Sequence, residues 1–544
     1  MCKEQSLAVD EQPFDVVGKP CFKDLSSDHK SKNFERDWHE ALYSSVSQNK
    51  IAHKTESKDE LFITSQQHKG AQKVNNDIDV LVSDSWLSFA QFHDINEVGD
   101  SSICSETNPC TGIAKKLDLE GLSTVSLCYD CVTANIIRPT NTDSKLRLSE
   151  WVIYLGDSLA KNTSLTTLRL TIDNCDELSL SEDWAKGLDD GLAKNKSLTT
   201  LSLTINSCEL YMGGDWAKDL GDGLAKNTSL STLSLTFNSS KLSTSGDWAK
   251  GLGDVLAKNK SLTTLRLTFN SCELYMGGDW AKDLGDGLAK STSLTTLSLT
   301  FNSIILYMGG DWTKGLGDGL AKNTSLTTLS LTFNNSELNM AGDWTKGLGD
   351  GLAKNTSLTT LSLTINNSKR CTREDWTKGL GDGLTRNTSL TTLSLTFNSS
   401  KLYMGGDWTK GLGDGLAKNT SLTTLSLTFN SSKLYMVGDW AKDLGDGLAK
   451  NTSLTTLSLT FNSSIHQMRG DWARQLGDGL AKRKALTTLT LRFNYDRFVS
   501  EDWTKGLGEA LAKSTSLSTV TLIVNGDSYS GEEFTAWQKA VDHL

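Results

Sequence analysis

A leucine returns every 32 residues, at positions 198, 230, 262, 294, 326, 358, 390, 422, 454 and 486, with less regular copies at Leu165 and Leu517. So short and strict a period overrides the several ordinary domains that 544 residues would suggest, and points to one stacked array of twelve clear copies. A thirteenth, degenerate copy begins at Leu122, ahead of an insertion that contains Pro139. Only 37% of the residues are hydrophobic, but they recur at fixed places, which is how small units build one thin, continuous core. All four prolines precede the array, so none removes a backbone donor from the repeated elements.

Each copy holds two periods. In Leu198-Thr-Thr-Leu-Ser-Leu-Thr-Ile-Asn206, apolar Leu201, Leu203 and Ile205 alternate with Thr200, Ser202 and Thr204, the period of two that marks a strand. Trp216, Leu220 and Leu224 are then spaced by four, the apolar stripe of a helix. Asp215 suits that helix's N-cap and Asn227 the left-handed position after its last turn. Asp222 and Lys226 add an i, i+4 pair. Glycine costs roughly 1 kcal/mol relative to alanine inside a helix. The three glycines of "KGLGDGLAK", such as Gly315, Gly317 and Gly319, therefore predict a compensating close approach of neighbouring helices, and with it a shallow curve.

The strand reads L-x-x-L-x-L-x-x-N, with its asparagine at Asn206, Asn238, Asn270 and their equivalents. This resembles the leucine-rich repeat, and the helix-containing unit is most similar to the ribonuclease-inhibitor type also found in NOD-like receptors. The resemblance covers roughly residues 117–544; the units are longer than the family's, with the excess between the asparagine and the helix, as in Ser207 to Gly214. It implies an α/β leucine-rich-repeat solenoid, a horseshoe with parallel strands on the concave face and helices on the convex face. Strands about 4.8 Å apart beside helices about 8–10 Å apart bend such an array.

Residues 111–544 are thus read as about 12–13 units, closed by an amphipathic cap helix through Phe534, Trp537, Val541 and Leu544. Residues 1–110 form a poorly patterned N-terminal region, expected to be in part disordered. Within it residues 37–49 match the helix template, with Trp38 and Asn49 spaced as Trp216 and Asn227. Residues 50–110 suggest no fold.

Composition and motifs then exclude most chemistry. The net charge of −10 argues against nucleic-acid binding, which needs a basic surface. No run approaches the roughly 18 apolar residues of a membrane span, and the N-terminus lacks the apolar stretch of a signal peptide, so a soluble, cytoplasmic protein without a membrane partner is expected. Asn-x-Ser/Thr triplets such as Asn162-Thr-Ser and Asn238-Ser-Ser then read as turn chemistry. The ten cysteines form no evident disulfide framework, and Cys128-Tyr-Asp-Cys131 lacks the second half of a zinc site. No histidine lies between His93 and His466. Neither catalytic residues nor a metal site nor a cofactor is expected, and the chain is read as not an enzyme. The phosphate-binding G-x-x-x-x-G-K-[ST] is absent, and with it the nucleotide-binding module of NOD-like receptors. "GLGDG" lies inside the helix, where it serves packing.

Two binding surfaces are expected. One is the concave face, with hydroxyl ladders through Thr200, Ser202 and Thr204, Thr328, Ser330 and Thr332, and Thr392, Ser394 and Thr396, broken by Arg169, Arg266 and Arg492. The other is the strand-to-helix loops, where the copies differ and Tyr211, Tyr275, Tyr307, Tyr403 and Tyr435 offer aromatic anchors. Phe237, Phe301 and Phe429 fall on the inward phase and read as a core stack. The expectation is a non-enzymatic scaffold that binds a protein partner; the resemblance implies NOD-like-receptor-type signalling or innate sensing. The alternatives are recognition of a polysaccharide or ice-like lattice by the Thr/Ser ladder, and an enzyme inhibitor of ribonuclease-inhibitor type. That inhibitor is rich in cysteine and acidic contact residues, which this concave face is not.

Overall fold

Because leucine and hydroxyl residues alternate, each copy makes a strand with two unlike faces, and the strands pair side by side in chain order. The computed structural model describes residues 77–82, 122–130, 143–173 and, apart from short segments between elements, 182–531. The strands are β1 (Asp77–Val82), β2 (Thr124–Asp130), β3 (Thr167–Asp173), β4 (Thr200–Met212), β5 (Thr232–Thr244), β6 (Thr264–Met276), β7 (Thr296–Met308) and β8 (Thr328–Met340). They continue as β9 (Thr360–Asn367), β10 (Thr392–Met404), β11 (Thr424–Met436), β12 (Thr456–Met468), β13 (Thr488–Asn494), β14 (Thr519–Val524) and β15 (Asp527–Gly531). Neighbours from β1 to β14 run parallel; β15 turns back antiparallel on β14. Thr296, Leu297 and Ser298 of β7 stand opposite Thr328, Leu329 and Ser330 of β8, so pairing is offset by one repeat without slip. From β2 to β14 a helix separates successive strands, as in Trp280–Lys290, Trp312–Lys322 and Trp344–Lys354. The architecture is an α/β repeat solenoid.

The core lies between the two layers. Leu329, Leu331 and Phe333 of β8 are fully buried, as are Leu316, Leu320 and Trp312 on the helix before it. Burying one such side chain stabilises by roughly 1.5–3 kcal/mol, repeated in every unit. Identical residues meet across strands, so the phenylalanines stack as expected: Phe269 and Phe301 lie 5.5 Å apart with planes 5° from parallel, and Phe301 and Phe333 5.3 Å apart. Trp280 stands edge-on to Phe301 at 5.8 Å, the quadrupole-favoured arrangement.

The helices touch through glycine, as the sequence predicts. A Cβ on Gly315 would stand 2.6 Å from Lys282 N on the preceding helix, and one on Gly319 would stand 2.6 Å from Gly285 Cα there. One on Gly317 would stand 2.7 Å from the Gly347 carbonyl carbon on the following helix. A helix that keeps all three glycines, such as Trp312–Lys322, therefore presses two backward and one forward.

Four expectations change. Asn451, equivalent to Asn227, has φ −66° and ψ 135°, extended rather than left-handed. These asparagines latch units together instead: buried Asn323 accepts from Ser325 N (2.9 Å) and Leu326 N (2.6 Å), and its Nδ2 donates to Leu288 O (2.7 Å) and Ser291 O (3.2 Å) of the preceding unit. Backbone N–H groups of the turn leading into the next strand thus find an acceptor, and carbonyls at the end of the preceding unit's helix a donor. Asp279 and Asp439, equivalents of Asp215, sit at N-caps without a side-chain cap bond. β1 places Asp77–Val82 in the sheet, in a stretch whose sequence suggests no fold. Lastly, the expected strand-to-helix loops are strand: in β4 to β8 and β10 to β12 the ladder runs on to thirteen residues. The proposed cap helix through Phe534 and the helix at 37–49 lie outside the described residues.

Candidate functional site

The face of the sheet turned away from the helices carries the hydroxyl positions and, among the described side chains, Tyr275, Tyr307 and Tyr435. Its lower tier is the hydroxyl grid. In β7 to β12 the outward positions read Thr, Ser, Thr without exception, from Thr296, Ser298 and Thr300 to Thr456, Ser458 and Thr460. Strand geometry spaces such hydroxyls about 4.8 Å across the sheet and about 6.8 Å along each strand. Exposed Arg266 of β6 and Arg492 of β13 bound this uncharged patch.

Neighbouring threonines differ in what their hydroxyls do. The threonine before each strand is engaged internally: Thr327 Oγ1 donates to Thr295 O at 3.1 Å, and Thr359 Oγ1 to Thr327 O at 3.1 Å. Among the described residues, the half-buried Thr200, Ser202, Thr204, Thr328, Ser330, Thr332, Thr392, Ser394 and Thr396 make no such side-chain hydrogen bond. A hydroxyl is both donor and acceptor, so this tier can bind a polar target without rearrangement.

An asparagine ladder closes the lower tier. Asn238 Nδ2 donates to Asn206 Oδ1, and Asn302 Nδ2 to Asn270 Oδ1, both at 2.5 Å; Asn366 pairs likewise with Asn334. Many Asn-x-Ser/Thr triplets thus hold amides occupied by the fold, as at Asn238 and Asn323.

Above the ladder each long strand changes phase. In β6 burial alternates through Phe269 and Ser271, then two half-buried residues, Cys272 and Glu273, stand in succession before Leu274 and Met276 turn inward. Pairing is interrupted at Cys272 and at Ser240 opposite it, so both strands break alternation at the same place while the register between them is kept. Tyr275, Tyr307 and Tyr435 therefore join the hydroxyl face as an upper tier rather than projecting from separate loops. Tyr275 (37% exposed) and Tyr307 (41%) stack with ring centres 4.9 Å apart and planes 7° from parallel. Tyr275 Oη donates to Glu273 Oε2 at 3.1 Å. Burial raises the Tyr275 hydroxyl above its ordinary pKa, and this hydrogen bond and the carboxylate's charge add to it. Tyr403 and Tyr435 occupy facing positions of β10 and β11, and Tyr211 the matching position of β4. Sequence reasoning separated the two surfaces because alternation shifts by one residue at Cys272; Leu274 and Met276, two apart on the shifted phase, were the available signal.

The perturbed carboxylates lie elsewhere, in the helix layer. Asp283 and Asp443 stand where other units have the first packing glycine, and desolvation there raises their pKa, with Asp279 and Asp439 respectively adding repulsion. Asp189 replaces the forward-facing glycine and is raised by burial first, against an opposing pull from Lys226. Packing between helices accounts for all three. Among the described residues no three His, Cys, Asp or Glu side chains gather as a metal site. No described helix is long and apolar enough to cross a membrane, which says nothing of β-barrels.

No family model and no curated protein matches the sequence. Among solved structures the chain is similar to leiomodin-1 actin-binding site 2, at 17% identity and a TM-score of 0.20, over 27% of this chain and 78% of that one.

Proposed function

We propose that the chain is a non-enzymatic recognition scaffold that holds a protein partner on the open face of its sheet, in the manner of the repeat region of NOD-like receptors and in a cytoplasmic, innate-sensing role. The carrying observation is that the grid hydroxyls have no internal partner, whereas those one residue away do. Exposed tyrosines on the same face supply the aromatic anchors that protein interfaces favour. Affinity capture from the native source, comparing the wild-type chain with one carrying Thr328→Val, Ser330→Ala and Thr332→Val and the same changes in the next two units, tests this. A partner recovered by the first and lost by the second supports the reading; equal recovery overturns it.

A second reading draws on the grid's regularity. Six strands of identical, uncharged Thr-x-Ser-x-Thr suit a periodic hydroxylated target, a polysaccharide or an ice lattice. Retention on insoluble polysaccharide, or thermal hysteresis, that disappears with the same variants would favour it.

A further inference from the structure

The lower tier is uniform, but the upper tier is not, and its net charge differs between the earlier and later long strands. The register position two before that of the tyrosine holds Glu209, Lys241, Glu273, Ile305 and Glu337 on β4 to β8, a net negative stretch, and Lys401, Lys433 and Ile465 on β10 to β12, a net positive one. Each end also holds a pair of tyrosines in register, Tyr275 with Tyr307 and Tyr403 with Tyr435. The sheet thus carries two tyrosine pairs in register, one in a net-acidic stretch, with Lys241 opposite Glu273, and one in a net-basic stretch.

At the first anchor the exposed ring pair and the Glu273 carboxylate, which already accepts from Tyr275, present an electron-rich surface of the kind that attracts a guanidinium or ammonium. At the second, half-buried Lys433 stands two residues before half-buried Tyr435 and opposite the position of Lys401. A polyanion meets repulsion at Glu273 and a polycation at Lys433. Five strand steps separate β6 from β11, about 24 Å at 4.8 Å per step. An extended chain advances about 3.4 Å per residue and covers that distance in about seven residues.

We infer that the partner engages this face through an extended segment lying across the strands, with a basic residue at Glu273 and the Tyr275–Tyr307 pair and an acidic residue about seven positions away at Lys433. This rests on the open face being a recognition surface for protein, and adds which chemistry it selects.

Binding of fluorescein-labelled 14-residue peptides to the full chain, followed by anisotropy at low and high salt, tests it. Four probes are used on a Ser/Thr/Val background: Arg and Glu seven residues apart, the same pair three apart, Arg alone and Glu alone. The seven-spaced probe is expected to bind tightest, by about twofold to fivefold per matched charge, the range of exposed ion pairs. Glu273→Lys should shift preference toward the Glu-only probe, and Lys433→Glu toward the Arg-only probe. Each change installs a residue the array already carries at that register, Lys241 for the first and Glu273 for the second, so the fold tolerates both. Equal binding of all four probes, or preferences unmoved by the two variants, overturns the inference. Should the hydroxyl variants still abolish partner capture in that event, the scaffold reading stands and only the dipolar segment falls; if capture is also unaffected, both fall.

Discussion

Replacing Gly317 by alanine sets two effects against each other and lets their sizes decide. Helix propensity alone favours alanine by about 1 kcal/mol. Against this, the new Cβ would lie 2.7 Å from the Gly347 carbonyl carbon and closer still to its oxygen, where ordinary contact begins at 3.4 Å. Both are backbone atoms on a packed helix, so no rotamer change relieves them, and the two helices must separate. Overpacking of this kind costs about 1–3 kcal/mol and occasionally more, and contacts this short with backbone place it at the upper end, so a net loss of about 2 kcal/mol is expected. Gly221 provides the control: its nearest neighbours would be Gly251 O at 3.0 Å and the flexible Val255 Cγ2 at 3.4 Å, and Gly221→Ala should be close to neutral. Urea denaturation followed by far-ultraviolet circular dichroism gives the ranking. Because each unit contacts only its neighbours, hydrogen exchange should quicken mainly in Trp312–Lys322 and Trp344–Lys354. A Gly317→Ala chain as stable as wild type would mean that helix propensity dominates and that the helices are not held at backbone contact.

Other outcomes follow from the latches and the helix-layer carboxylates. Asn355→Ala removes donors to Leu320 O (2.7 Å) and Asn323 O (3.1 Å) and the acceptor for Ser357 N and Leu358 N. Losing these in a buried setting should cost about 2–4 kcal/mol by urea denaturation. Asn355→Ser should cost less, since Ser291 fills the equivalent place and accepts from Leu294 N at 3.3 Å. Thr327→Val with Thr359→Val should lower the urea midpoint through loss of two exposed bonds, while Thr328→Val with Thr360→Val should leave it unchanged. For Asp283 the folded-state pKa is raised, so its contribution favours folding below the ordinary value of 3.8 and is lost as pH rises through the raised value. Asp283→Asn should therefore gain stability relative to wild type between pH 3.5 and pH 7, a small effect because the group is only partly buried; a constant difference across that range would contradict the assignment.

Much of this fold could be read from residues that repeat. Leu201, Leu203 and Phe237 show their burial through alternation alone, and glycine in a helix announces close packing because it is otherwise unfavourable. Three features were hidden for identifiable reasons. Asn227 follows a helix as left-handed asparagines do, but its bonds to Leu192 O and Asn195 O belong to a neighbouring unit that no single copy displays. β1 is short, and although Ile78, Val80 and Val82 alternate, they stand in polar surroundings. The shift of alternation at Cys272 disguised strand as loop and so divided one face into two. The hydroxyl positions themselves were legible; that their hydroxyls lack internal partners needed the coordinates of the row beside them.

Unslipped register has a consequence for how such a chain can change. What a unit offers its successor matches what it receives from its predecessor, so excising 32 residues from β7 to β12 rejoins surfaces that already fit. Array length is then unconstrained by packing, while the interval between the glutamate-bearing and lysine-bearing tyrosine pairs lengthens or shortens in whole strand widths. Gain or loss of a copy resets that interval as a ruler is reset by one division, leaving both of its marks intact.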